Sequence, residues 1–191
     1  MKKLLVSAAL AASMLAPSVA NAQAIPGAVI AVVDLERVTR DCNACKTASA
    51  ALRSQAQSLQ TRQQTLAAPL EAERKSIQAA IDALKGKEPD AALKARVTAF
   101  QTKQQQGAQE IQRQEQQVQR NQQYIQKQVV DKLGPIYQQV MTKRGANVMM
   151  EAGSTLATAT SVDVSNDVLA ALNTSLPSIQ TTAPAAAPQS R

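Results

Sequence analysis

The chain has 191 residues, with 21 Lys and Arg against 14 Asp and Glu, and neither histidine nor tryptophan. The missing histidine excludes His-based triads, His metal sites and most general-base designs. Cys42 and Cys45 are the only cysteines, so a zinc site would lack two ligands. Gly86, Gly107, Gly134, Gly145 and Gly153 are isolated and build no phosphate loop. No enzymatic function, cofactor or metal is expected.

At the N-terminus, Lys2 and Lys3 precede the apolar run Leu4–Leu15, then Pro17 and Ala20-Asn21-Ala22. This is the order of a signal peptide over residues 1–22, cut after Ala22; a cut after Ala24 also satisfies the rule. The run is too short to span a bilayer. The expected mature chain is Gln23–Arg191, exported and, from the bacterial look of the n-region, periplasmic.

Ala28–Val33 is a continuous, mostly β-branched run and predicts a strand buried on both faces. Asp34 is placed to cap a short helix over Leu35–Arg40. Cys42-Asn43-Ala44-Cys45 then forms a junction. Three readings of this CxxC stand at this point. A local disulfide suits an oxidising compartment. Free or intersubunit thiols are the second, and a redox motif at a helix N-terminus is the third. The redox setting is normally a strand–CxxC–helix unit within a βαβ pattern; here a long polar helix follows.

Residues 46–84 and 90–133 carry two seams of alternating four- and three-residue steps. The first runs Leu52, Ala56, Leu59, Gln63, Leu66, Leu70, Glu73, Ile77, Ala80, Leu84. The second runs Leu93, Val97, Phe100, Gln104, Gly107, Ile111, Gln114, Val118, Asn121, Ile125. Sustained 4-3 spacing predicts an antiparallel coiled-coil hairpin, folded at Lys85–Asp90. Each helix reaches on the order of 60 Å. The seam is soft, because each polar residue in it loses roughly 1–3 kcal/mol against a buried leucine. Half of Gln101–Gln128 is glutamine, 14 of 28 residues. Pro69 and Gly107 fall opposite each other when the hairpin is folded. Both weaken a helix, which predicts a flex point midway along the arm.

Gly134-Pro135 predicts a break, followed by a last helical piece to Arg144 with Gly145 as its stop. Asn147–Glu151 and, more weakly, Thr155–Thr160 predict strands. Ser165 predicts the N-cap of a helix over Asn166–Asn173. Thr181–Arg191 has two prolines and no apolar period, which predicts a disordered tail.

The fold class is therefore α+β, mostly α. Residues 23–41 and 145–176 form a discontinuous β-rich association body, 42–144 a hairpin arm, and 177–191 a tail. A few short strands make a small core with exposed edges, which oligomerisation through the sheet would relieve. Residues 42–144 hold 16 basic and 8 acidic side chains, and the rest of the mature chain 3 and 6. A basic arm on an acidic body suits an acidic polypeptide, anionic lipid or nucleic acid. Export and the scarcity of stacking aromatics argue against nucleic acid. A merely solvated face is the plainer reading of the arm charges; the arm/body split favours a binding surface.

The segments Ile30-Ala31-Val32-Val33-Asp34-Leu35, the polar hairpin, Asn147-Val148-Met149-Met150-Glu151-Ala152 and Asp163-Val164-Ser165-Asn166-Asp167-Val168-Leu169 together resemble the Skp (OmpH-like) periplasmic chaperones. Their pattern has Asp where Glu151 stands and Ile-Thr where Val164-Ser165 stand, and it lacks the CxxC. The resemblance implies a homotrimer in which a small β-rich body carries three arms around a cavity. It also implies an ATP-independent holdase for unfolded outer-membrane β-barrel proteins. Client-binding candidates on the arm are Lys75, Lys85, Lys87, Lys94, Arg96, Lys103, Arg113 and Arg120. Transient contact with anionic membrane lipid or lipopolysaccharide stays open, since no motif here carries it over. The alternative is an envelope structural or adaptor coiled coil that binds one folded partner.

Overall fold

The computed structural model describes residues 26–184; the expected signal peptide lies outside them. The elements are strand β1 (Ile30–Val33), helices α1 (Leu35–Asp41), α2 (Asn43–Ala83) and α3 (Ala91–Arg144), strand β2 (Val148–Glu151) and helix α4 (Ser165–Ser175). The chain is α+β and mostly α, as its periodicity predicts.

β1 and β2 pair in parallel, with Ile30 opposite Val148 and Val33 opposite Glu151. Parallel neighbours need a long crossover, and here the whole helical hairpin is that crossover. Ala31, Val32 and Val33 are all buried, so successive side chains are covered on both faces. On the other side of β1, Val32 bridges Asp163, and Val164 N–H donates to Val32 O at 2.8 Å.

α1 starts as the sequence predicts: Asp34 Oδ1 accepts from Arg37 N–H at 2.8 Å. The core lies where α1, α4, β1 and the base of α3 meet. Val38, Val168 and Leu172 are fully buried there, with Val129, Leu133, Ile136 and Val140 packed from α3.

Several expectations are corrected. Gly134-Pro135 does not break α3, which continues to Arg144. Proline in a helix interior costs about 3 kcal/mol. The flanking Leu133, Ile136 and Val140 are buried, and each contributes about 1.5–3 kcal/mol, so packing wins. Thr155–Thr160 is not a strand. It lies between 3₁₀ turns at Ala152–Ser154 and Thr160–Val162, and Leu156 is fully exposed. The far edge of β1 is already met by Asp163, leaving that segment no partner there. Ser165 lies inside α4 and does not cap it; its hydroxyl accepts from Asp34 N–H at 2.8 Å, while Asp163 Oδ1 accepts from Ser165 N–H.

The tail is also corrected over residues 177–184, which lie in order along the base of the arm. Leu176 is buried, Ile179 packs on the core, and Gln180–Ala183 hydrogen-bond to α2 and α3. Residues 185–191 fall outside the described residues.

Candidate functional site: the helical hairpin arm

The tip turns at Lys85 and Gly86, whose φ angles are +47° and +86°. Glycine carries such a conformation without a Cβ penalty. Asp90 then caps α3, its Oδ1 accepting from Leu93 N–H at 2.8 Å. At the other end Gly145, at φ +66°, closes α3 with Ala146 N–H donating to Met141 O at 2.9 Å.

Along the seam, the apolar positions of both helices turn inward but few are fully covered. Between Leu52 and Val118, Ile77 and Gly107 are the buried residues. Polar pairs tie the helices where leucine is missing. Arg62 forms a two-bond pair with Glu110, at 2.7 and 3.1 Å. Gln63 Nε2 donates to Glu115 at 3.1 Å, and Arg96 Nε donates to Glu73 at 2.7 Å. Nearer the body, buried Asn121 donates to Gln55 Oε1 at 2.8 Å. Hydrogen bonding by Arg62, with its positive charge, holds the Glu110 carboxyl below its ordinary value and raises the Arg62 guanidinium. The same chemistry within one helix, from Arg74, lowers Glu71.

Pro69 and Gly107 lie on the same stretch of the arm. Both line one groove of about 300 Å³ with Leu66, Leu70, Glu73 and Lys103. A Cβ on Gly107 would sit 3.9 Å from Leu66 Cδ1, an ordinary contact.

The eight basic candidates are not equivalent. Arg96 is held in the cross-helix pair with Glu73. Lys75 pairs with Glu71 at 3.7 Å, and Lys94 with Glu88 at 2.6 Å. Arg120 Nη2 donates to Gln117 Oε1, and its Nε is buried without a partner among the described residues. Lys85, Lys87, Lys103 and Arg113 make no ion pair among the described residues. The structure thus spreads the eight along the arm and gathers no single cluster. Arg62 and Arg74, absent from the sequence-based set, each make a two-bond pair with a glutamate. Their i,i+3 and cross-seam glutamates were the available signal.

Cys42 and Cys45 are joined by a disulfide across the first turn of α2, where Cys42 is the N-cap. Both are buried, Cys42 completely. Reactive cysteines sit in partly exposed, electropositive surroundings, so this geometry favours a structural staple over redox catalysis. Among the described residues there is no group of three His, Cys, Asp or Glu placed to hold a metal. None of the described helices is long and apolar enough to cross a membrane.

A parallel strand pair whose crossover is a polar helical hairpin is a distinctive connection. The family described as Outer membrane protein (OmpH-like) matches residues 29–172, nearly the whole of that arrangement. This chain belongs to the OmpH-like family. Its fold is similar to the crystal structure of a proposed outer membrane chaperone (OmpH-like) from Caulobacter crescentus CB15. The TM-score is 0.67 at 18% sequence identity, covering 82% of this chain and 90% of that one. Among curated proteins, no sequence matches.

Proposed function

We propose that this OmpH-like protein is an ATP-independent periplasmic holdase. In this reading it captures unfolded outer-membrane β-barrel proteins between basic helical arms and keeps them soluble for assembly. The observation that carries the reading is the arm: a long hairpin held by scattered polar pairs, with basic side chains left over after its own acids are matched. Of the eight basic candidates, Lys85 and Lys87 at the tip, with Lys103 and Arg113 along the arm, are the ones that make no ion pair among the described residues and would meet a client. Their aliphatic stems would cover client side chains while their charges steer acidic segments inward. A homotrimer built on the small body fits the two-stranded sheet, whose paired Ile30 and Val148 are 42% and 38% exposed, apolar surface that further subunits would cover.

Mass in solution measured together with client capture tests this. The expected outcome is a trimer that keeps several unrelated urea-unfolded barrel proteins from aggregating without nucleotide. A species that ignores unfolded barrels but binds one folded envelope protein would instead establish an adaptor coiled coil. Capture rates should fall with ionic strength; rates flat from low to high salt would remove electrostatic steering.

A further inference from the structure

Residues 180–183 are bound to the arm almost wholly through their main chain. Gln128 meets both backbone groups of Gln180: its Oε1 accepts from Gln180 N–H at 3.0 Å, and its Nε2 donates to Gln180 O at 2.9 Å. One step along, Gln55 Nε2 donates to Thr181 O at 3.2 Å. Ala183 repeats the double contact, its N–H donating to Asn121 Oδ1 at 2.8 Å and its carbonyl accepting from Gln117 Nε2 at 3.3 Å. One side-chain bond adds to these, from Tyr124 O–H to Gln180 Oε1 at 3.1 Å. The receiving amides are themselves oriented, since Asn121 accepts from Gln117 and donates to Gln55.

A side-chain amide offers a donor and an acceptor side by side, the same pair that a residue's main chain presents. A row of Gln and Asn on a helix pair therefore binds an extended segment with little regard for its side chains. The occupant here fits that rule: Thr181, Thr182 and Ala183 have small or short side chains. The row also continues beyond the segment. Next to Thr182 an open groove of about 360 Å³ runs past Gln55, Leu59, Gln114 and Val118.

We propose that this amide row is a main-chain-binding surface for extended, unfolded polypeptide, and that residues 180–183 occupy it in cis as a displaceable stand-in for client. The proposal rests on the holdase reading for the identity of the partner. A tethered occupant is present at high effective concentration, so it lowers the apparent affinity for client until a longer chain with many contacts displaces it. The glutamine richness of α3 then has a chemical use: neutral amides bond peptide groups in any sequence, while Lys and Arg handle charge.

The test uses the full chain with Gln180→Pro and Ala183→Pro, which removes the two donated main-chain bonds, together with the Tyr124–Gln180 side-chain bond, and leaves the arm unaltered. Affinity for a urea-unfolded outer-membrane barrel protein, read by fluorescence anisotropy, should rise about 5- to 150-fold, the change expected when two bonds worth about 0.5–1.5 kcal/mol each are lost from the competitor. Client capture that is unchanged or weaker overturns the cis competition while leaving the holdase reading standing. In a second arm, a synthetic peptide of residues 177–191 is titrated into the double variant. It should bind, a scrambled peptide of the same composition should bind within about threefold, and N-methylation of the amides at 180 and 183 should abolish binding. Loss of binding on scrambling, or no loss on N-methylation, overturns main-chain recognition. Peptide binding that obeys these rules, with no barrel protein captured by either chain, would keep the surface and reject the holdase reading.

Discussion

The body and the outer arm solve the same packing problem in opposite ways. In the body, Val38, Val168 and Leu172 are fully buried, and α1, α4, β1 and the base of α3 share one apolar cluster. In the outer arm two helices run side by side with half-covered leucines, and Arg62–Glu110, Gln63–Glu115 and Arg96–Glu73 bridge them at the edges. Exposed ion pairs stabilise by about 0–1 kcal/mol each, whereas a fully buried leucine contributes about 1.5–3 kcal/mol. The body therefore sets global stability, and the arm sits at the low end of local stability, where elements that move are drawn from.

Matched truncations would break that comparison if it is wrong. Leu172→Ala should cost about 2–5 kcal/mol, the range for a buried leucine that leaves a cavity. Leu66→Ala, half-exposed beside the Pro69–Gly107 groove, should cost roughly 1 kcal/mol, about half of a full burial term. Urea unfolding followed by circular dichroism checks both. Equal losses would mean that the arm carries as much cooperative packing as the body.

The mid-arm comes next. Pro69 and Gly107 line the same groove, and in a helix interior proline and glycine cost about 3 and about 1 kcal/mol against alanine. The Gly107 methyl would meet Leu66 at an ordinary distance. Pro69→Ala with Gly107→Ala should therefore slow amide exchange over residues 63–73 and 101–111 by at least about tenfold, the factor equivalent to 1.4 kcal/mol. It should leave exchange in α4 unchanged. Unaltered mid-arm exchange would remove the flex point.

Where the arm enters the body, the Cys42–Cys45 disulfide closes a very short loop. Short loops lose little chain entropy when closed, so reduction should cost about 1–2 kcal/mol. The loss should be confined to the first turns of α2 and the core around Cys42. A reduced protein whose outer arm also loses exchange protection would show that the staple organises the whole hairpin.

The arm was legible in the sequence because its signals are local and repeated: alternating four- and three-residue steps and a breaker at Lys85–Asp90. The body was less so, because local chemistry there is overruled by packing. Gly134-Pro135 has the residues of a stop, yet its neighbours are core residues and the helix runs through. Thr155–Thr160 has strand-like composition but no strand edge to pair with. Ser165 has the chemistry of a cap, and its hydroxyl serves Asp34 across the core, a contact between residues 131 apart in sequence. The ordering of residues 177–184 left little hydrophobic trace beyond Ile179, since its hydrogen bonds run mostly from main chain to glutamine and asparagine. The basic candidates were legible as charges, and the Lys75–Glu71 spacing of four was legible too; the Arg96–Glu73 pair across the two helices depended on the fold.

The smallest expected difference concerns acid. Asp163 is held below the ordinary aspartate value by hydrogen bonds from Ser165 and by Arg37. Asp167, its side chain only 16% exposed, is lowered by Arg144, to which it is hydrogen-bonded, and by Lys143. A carboxylate whose folded value lies below its unfolded one, near about 4, contributes stability that is complete above that pH. The contribution is lost as pH falls through the folded value. Both groups tie α4 to its surroundings, so the body should loosen as pH drops below about 4. Glu71 and Glu110 shift in the same direction, but they lie on the exposed arm, where such pairs change local order more than global stability. Asp167→Asn should lower stability at neutral pH by no more than about 1 kcal/mol and flatten the fall between neutral pH and acid. A variant with an undiminished acid fall would place that sensitivity outside Asp167, in Asp163 or in the arm's glutamates.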